Sequence, residues 1–130
     1  MDEKDSLILK ILRNNSRMSN SEIARTIKVS EATVRKRIKR LRDLGIIRRF
    51  TIETTDSQIS SIVLIRTETR KTKAVLNSLK RKYDEVYELT GSQDIAVHFR
   101  RNTIDEINNE VDKIRVIEGV ENTDTLIRLS

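Results

Sequence analysis

Ser30-Glu31-Ala32-Thr33-Val34-Arg35-Lys36-Arg37-Ile38-Lys39-Arg40-Leu41-Arg42-Asp43-Leu44-Gly45 reads as one helix with a marked start, a marked stop and a divided surface. Ser30 is a favoured N-cap, and Gly45 suits the left-handed position that closes a helix. Val34, Ile38, Leu41 and Leu44 recur at helical spacing and predict a buried stripe. Six Lys/Arg residues stand against two acids between these caps. Lys36, Lys39 and Arg40 point away from the stripe, Thr33 and Arg37 lie on its shoulder, and Lys28, Arg48 and Arg49 flank the segment. Such a helix fits the DNA major groove, where Lys and Arg meet phosphates and guanine edges. Ser30 and Thr33 occupy its N-terminal end, the part that meets bases when a helix-turn-helix docks. The candidate DNA contacts are therefore Ser30, Thr33, Arg35, Lys36, Arg37, Lys39, Arg40 and Arg48.

A basic amphipathic helix by itself is equally a solvated face, so its neighbours carry the inference. Leu7, Ile8, Ile11 and Leu12 predict a first helix to about Arg13, with Asp2, Glu3 and Asp5 at its positive end. Asn14-Asn15-Ser16 reads as its stop. A second helix is expected after Ser19, with a capping-box pattern to Glu22 and an inner face of Ile23, Ala24 and Ile27, ending near Lys28. Beyond Gly45, Ile46 to Glu53 is β-branched and partly alternating, which predicts a short hairpin or wing strand. Three helices and a wing make residues 1–53 a winged helix-turn-helix for double-stranded DNA. RNA fits less well, since aromatic residues are 3% of the chain and none lies on the basic helix.

Residues 54–60 (TTDSQIS) read as a linker, and residues 61–130 change pattern. Ile62-Val63-Leu64-Ile65 predicts a strand covered on both faces. Ala74, Val75, Leu76 and Leu79 predict a helix ending near Tyr83. Val86–Leu89 and Ile95–Phe99 flank a hairpin turn at Thr90–Asp94. Ile104, Ile107, Val111 and Ile114 space a further helix, Glu118-Gly119 turns the chain, and Leu126–Leu129 is the expected last strand. This βαββαβ order predicts a ferredoxin-like antiparallel sheet, and the whole chain is of the α+β class. His98 falls on the strand face opposite Ile95, Val97 and Phe99, which suits a sheet-surface or interface residue better than a metal ligand or base.

Charge is divided in the same way. Residues 1–53 hold 14 Lys/Arg and 7 Asp/Glu, whereas residues 54–130 hold 12 and 13. A basic half beside a neutral one predicts a polyanion-binding module tied to a second activity. Halves this small have little core to spare and are expected to associate. No cysteine is present, so neither disulfides nor thiolate metal sites can form. No apolar run reaches membrane-spanning length, and the acidic start (MDEKDS) is unlike a secretory leader, so a cytoplasmic protein is expected. An enzyme is not expected: there is one isolated His, no phosphate-cradling glycine loop and no paired-carboxylate or metal signature, and no cofactor is implied.

The chain resembles the feast/famine regulators, the leucine-responsive and asparagine-synthase regulator (Lrp/AsnC) family. The resemblance rests on Asp5-x-x-Ile8-Leu9-x-x-Leu12, Glu22-Ile23-Ala24, Val29-Ser30-x-x-Thr33-Val34-x-x-Arg37-Ile38-x-x-Leu41 and Leu44-Gly45-Ile46-Ile47. It continues through Thr90-Gly91-x-x-Asp94 and Gly119-Val120-x-x-Thr123-x-Thr125. It implies a C-terminal domain that dimerises through its sheet, with dimers joining into tetramers or octamers. It also implies a small effector, usually an amino acid, bound between dimers near the Thr90-Gly91-x-x-Asp94 turn. Thr90, Gly91 and Asp94 are then the expected effector contacts, with Thr123 and Thr125 as further candidates. Gly91 at positive φ can offer N–H groups to a carboxylate, and Asp94 can accept from an ammonium group. Glycine and aspartate are equally ordinary hairpin residues, and Asp94 can serve its own turn. The connection from Phe50 to the Ile62 strand is a few residues shorter than the family pattern, and the chain closes on its last strand. Two DNA-binding modes are open: a sequence-specific regulator on a roughly palindromic site, or an architectural DNA-wrapping protein with little sequence preference. A small specificity ratio with a steep salt dependence distinguishes the second.

Overall fold

The computed structural model describes all residues, 1–130, as two compact units, Met1–Thr54 and Thr55–Ser130. The first unit consists of helices α1 (Glu3–Asn14), α2 (Asn20–Ile27) and α3 (Glu31–Asp43). Their apolar stripes meet in one core, with Ile8, Ile23, Val34 and Leu41 essentially inaccessible. Burying an aliphatic side chain this completely is worth about 1.5–3 kcal/mol relative to leaving it in water. Ile38 packs partly against this core, whereas Leu44, expected on the stripe, is 61% exposed. It is the C-cap residue, still helical in backbone, and the chain turns away at Gly45 immediately after it.

Caps set the helix ends. Asp2 and Asp5 form a reciprocal capping box at α1, with N–H to carboxylate distances of 2.9 and 3.3 Å. The acids expected there for the helix dipole thus have a second duty. Ser19 Oγ accepts from the Glu22 N–H at 3.1 Å, and Ser30 Oγ accepts from the Thr33 N–H at 3.1 Å. Gly45 has φ +74, and the N–H groups of Ile46 and Ile47 both donate to the Leu41 carbonyl, closing α3. Between α2 and α3 the turn is only Lys28, Val29 and Ser30, with Lys28 in the left-handed region at φ 60.

The expected wing does not form: residues 46–53 carry no strand pairing. A strand needs a ladder partner, and this unit has one β-prone stretch and no second one to oppose it. Ile47 packs partly against the helical core while Ile52 is 75% exposed.

The second unit begins with β1 (Ile59–Thr67), which starts inside the segment expected as linker. Ile59 packs on the core, and the polar Ser61 is buried with its hydroxyl donating to the Phe99 carbonyl at 3.1 Å. A short 3-10 turn (Thr69–Lys71), α4 (Thr72–Lys80), β2 (Glu85–Glu88), β3 (Ile95–Arg101), α5 (Ile104–Arg115) and β4 (Val120–Ile127) follow. The sheet is antiparallel in the order β2-β3-β1-β4, the split ferredoxin-like arrangement. β4 starts at Val120 rather than near Leu126. Its Glu-Asn-Thr-Asp-Thr run is polar because it forms a sheet edge, with one neighbour only.

Val63, Ile65, Ile95, Val97 and Phe99 face α4 and α5 and form the core with Val75, Leu79, Ile107, Val111 and Ile114. The other sheet face carries Ile62, Leu64, Ala96, His98, Tyr87 and Leu126, and no element of this unit covers it. Ile62 and Leu126, directly paired across β1 and β4, are 42% and 45% exposed. The double-sided apolar strand read at Ile62–Ile65 is thus covered on one side. No helix of the chain is long and apolar enough to cross a membrane.

Candidate nucleic-acid interface

α3 is held at its inner face by Val34 and Leu41, and this fixes which cations can project. Lys36 and Arg40 are exposed, on the side away from the core, and neither has an ion pair or side-chain hydrogen bond. Lys39 and Arg35 are also exposed but pair along the helix, with Asp43 at 2.9 Å and Glu31 at 3.0 Å. Pairs of this kind at exposed helical sites are worth only a few tenths of a kcal/mol, ~0.3–0.5, so a phosphate can displace the acid. Arg48 is exposed beside them: Arg35, Lys39, Arg42 and Arg48 surround an open groove floored by Ile38 and Ile47. Arg42 lies 5.6 Å from the Phe50 ring centroid, a cation–π contact that steadies the segment after α3.

Ser30 and Thr33 stand at the N-terminal end of α3, with their hydroxyls 2.8 Å apart. The turn that precedes them adds the exposed Lys28. Every expected DNA-contacting residue except Arg37 thus lies on the outer surface or leading end of one helix or just after it.

Arg37 has a different assignment. Its guanidinium bonds both carboxylate oxygens of Asp2, at 2.6 and 2.8 Å, and Asp5 Oδ1 at 3.2 Å. Asp5 is buried, so Arg37 ties α3 to the capped start of α1. The hydrogen bond from Arg37, and then the Asp5 N–H, hold the Asp2 carboxyl down at about 2. Bonds to Asp2 and Asp5 raise Arg37 in turn. The sequence placed Arg37 on a shoulder of the helix, and the shoulder meets α1. No local pattern marks a contact between residues 35 positions apart.

The expected effector residues do not converge within the unit. Thr90 and Gly91 sit at the exposed tip between β2 and β3, and Gly91 has φ +125. Asp94 turns its carboxylate to β1 instead, with Oδ2 accepting from the Thr67 N–H at 2.8 Å and facing the Thr67 hydroxyl at 3.2 Å. Its own N–H donates to the Ile65 carbonyl, so Asp94 fastens the hairpin to the neighbouring strand. Thr123 and Thr125 are on β4, separated from β3 by β1 and so roughly 10 Å away at ordinary strand spacing. Thr123 Oγ1 accepts from Arg115 Nε at 3.0 Å, and Thr125 pairs with Val63 on the helix side. His98 bonds the Ser60 hydroxyl at 2.6 Å through Nε2 and the Glu85 carboxylate through Nδ1, on the open sheet face.

A tri-helical unit with a solvent-facing cationic helix, followed by a ferredoxin-like unit, defines a DNA-binding transcription regulator. Residues 1–42 match the AsnC-type helix-turn-helix domain. The chain is 39% identical to the HTH-type transcriptional regulator LysM of Sulfurisphaera tokodaii, across 99% of this chain and 95% of LysM. The structure of E. coli AsnC is 25% identical, with a TM-score of 0.70 over 100% of this chain and 93% of AsnC. The transcriptional regulator NMB0573 of Neisseria meningitidis, solved with L-Met, is 20% identical and shares the fold, at a TM-score of 0.73 over 100% and 90% of the two chains. The chain belongs to the Lrp/AsnC family of transcriptional regulators.

Proposed function

We propose that this chain is a cytoplasmic regulator that binds a roughly palindromic duplex site as a homodimer or a larger even assembly. Residues 1–53 carry the DNA contacts, and residues 61–130 carry assembly and effector sensing. The observation that carries the reading is the outer face of α3, where Lys36 and Arg40 project without partners beside displaceable Arg35 and Lys39. Lys36, Lys39, Arg40 and Arg48 hold phosphates, while Ser30 and Thr33 offer hydroxyls to base edges. The open sheet face, with Ile62 and Leu126 half exposed, supports pairing with a second copy through that surface. Two recognition helices would then meet the groove one DNA turn apart, ~34 Å.

Modulation by an amino acid is part of the proposal. NMB0573, of the same fold, was solved with L-Met. Gly91 is exposed at the β2–β3 tip with a positive φ, a backbone geometry that can turn N–H groups toward a carboxylate. With Asp94 engaged by Thr67, it positions this tip. Footprinting on the chain's own upstream region, at two salt concentrations and with each of the twenty amino acids, tests the reading. Discrete protection shifted by one amino acid is expected. Unpatterned, strongly salt-dependent coverage indifferent to all twenty would overturn it in favour of an architectural DNA-wrapping role.

A further inference from the structure

The outward face of α4 carries cations and no acid. Val75, Leu76 and Leu79 turn inward onto the sheet, leaving Lys73, Ala74, Asn77, Lys80 and Arg81 exposed. Lys73, Asn77 and Lys80 recur at intervals of four and three and share one line along the helix, with Arg81 on the next. Arg70 in the preceding 3-10 turn and Lys82 just beyond the helix lengthen the stripe. None of Arg70, Lys73, Lys80, Arg81 and Lys82 makes an ion pair or side-chain hydrogen bond. Glu68, Glu85, Glu110, Asp112 and Glu118 of this unit pair instead with Lys71, Arg100, Arg101, Lys113 and Arg115.

Like charges gathered on one helix face cost stability rather than adding it, and here no internal acid offsets them. The stripe also lacks a large apolar residue, so it does not suit a helix lying in a membrane surface. It has no aromatic platform for unstacked bases. Flexible, unpaired Lys and Arg stems spread along a helix face suit the phosphate backbone of a duplex. α4 covers the sheet face opposite Ile62 and Leu126, so pairing through the open face leaves the stripe accessible.

We propose that the α4 stripe is a second, sequence-independent contact for duplex DNA, holding phosphates outside the stretch bound by α3. The inference rests on the α3 reading, because it is α3 that brings the duplex. Once the first unit has bound, the tether between the units raises the effective concentration of flanking phosphates, so contacts that are weak singly suffice.

The test uses the full chain with Lys73→Gln, Lys80→Gln and Arg81→Gln combined, exposed changes that keep helix propensity. Affinity is measured against salt for two duplexes sharing one protected sequence. One is trimmed to the minimum that still binds; the other extends about two helical turns further on each side. The variant should match the parent on the short duplex. On the long one it should bind at least tenfold more weakly, with a salt slope smaller by about 2–3, since each lost phosphate contact removes about 0.9. Equal losses on both lengths would mean a bulk effect of net charge, and no loss on either would mean a solvated face; both overturn the proposal. A changed assembly size at unchanged affinity overturns it too, assigning the stripe to an acidic surface of a second copy. Arg40→Ala should weaken both duplexes, and its having no effect would sink the α3 reading separately.

Discussion

Arg37 gives its guanidinium to Asp2 and Asp5, whereas Arg40, nearly one turn along α3, gives its own to nothing within the chain. Their substitutions should therefore separate cleanly. Arg40→Ala should leave the thermal midpoint unchanged and lower the salt slope of DNA binding by about 1; an unchanged slope would remove Arg40 from the phosphate contacts. Arg37→Ala should lower the melting temperature and weaken DNA binding only through that loss of structure. Asp2 supplies a pH signature. Its carboxyl is held at about 2 in the folded chain against an ordinary 3.8, so folding favours the charged form. The stabilisation is complete above 3.8 and disappears as the pH falls toward 2. NMR titration of the Asp2 carboxyl should give the depressed midpoint, and Arg37→Gln should return it toward the ordinary value. A midpoint that ignores Arg37 would refute the link.

Among the elements, the helix-turn-helix bend holds a lysine where the backbone asks for glycine. Lys28 at φ 60 pays the steric cost of the left-handed region, about 1–2 kcal/mol, partly offset by the chain entropy glycine would lose. Lys28→Gly should raise the melting temperature by a few degrees while reducing DNA affinity through the lost cation. Gly119 is the converse. It has φ +101, and a β-carbon there would stand 2.7 Å from Lys71 Cβ and 3.0 Å from Val75 Cγ2. Gly119→Ala should destabilise the second unit by about 2 kcal/mol or more, read by denaturant titration. The elements that announced themselves in the sequence did so by local chemistry: serine caps at Ser19 and Ser30, the glycine stop at Gly45, the apolar spacing of α5. Those that did not depend on neighbours. β4 hides its alternation in polar residues because it is an edge, and Ile46–Glu53 shows strand composition without a strand to pair with. The site divides in the same way. Lys36 and Arg40 follow from the helical wheel, while the tie from Arg37 to α1 and the anchoring of Asp94 on Thr67 require the tertiary structure.

For the molecule as a whole, the open sheet face is the feature that bears on assembly. Ile62 and Leu126 are directly paired on it, and in the proposed dimer a charge introduced there is buried against the second copy. Ile62→Glu should convert the assembly to monomers in sedimentation while leaving the core of each unit intact. A dimer that persists would move the interface elsewhere. Melting temperature should also rise with protein concentration in the parent and not in the variant.

The hydroxyl contact between Ser30 and Thr33 divides the energetics of recognition in two. That contact occupies one hydroxyl proton and one oxygen in the free protein, so on the proposed reading meeting a base edge exchanges one neutral hydrogen bond for another and adds little net attraction. A wrong base leaves that exchange incomplete, and the penalty involves no released counterion. Rising ionic strength should therefore erode how tightly the regulator holds any duplex, while its ranking of one sequence over another persists.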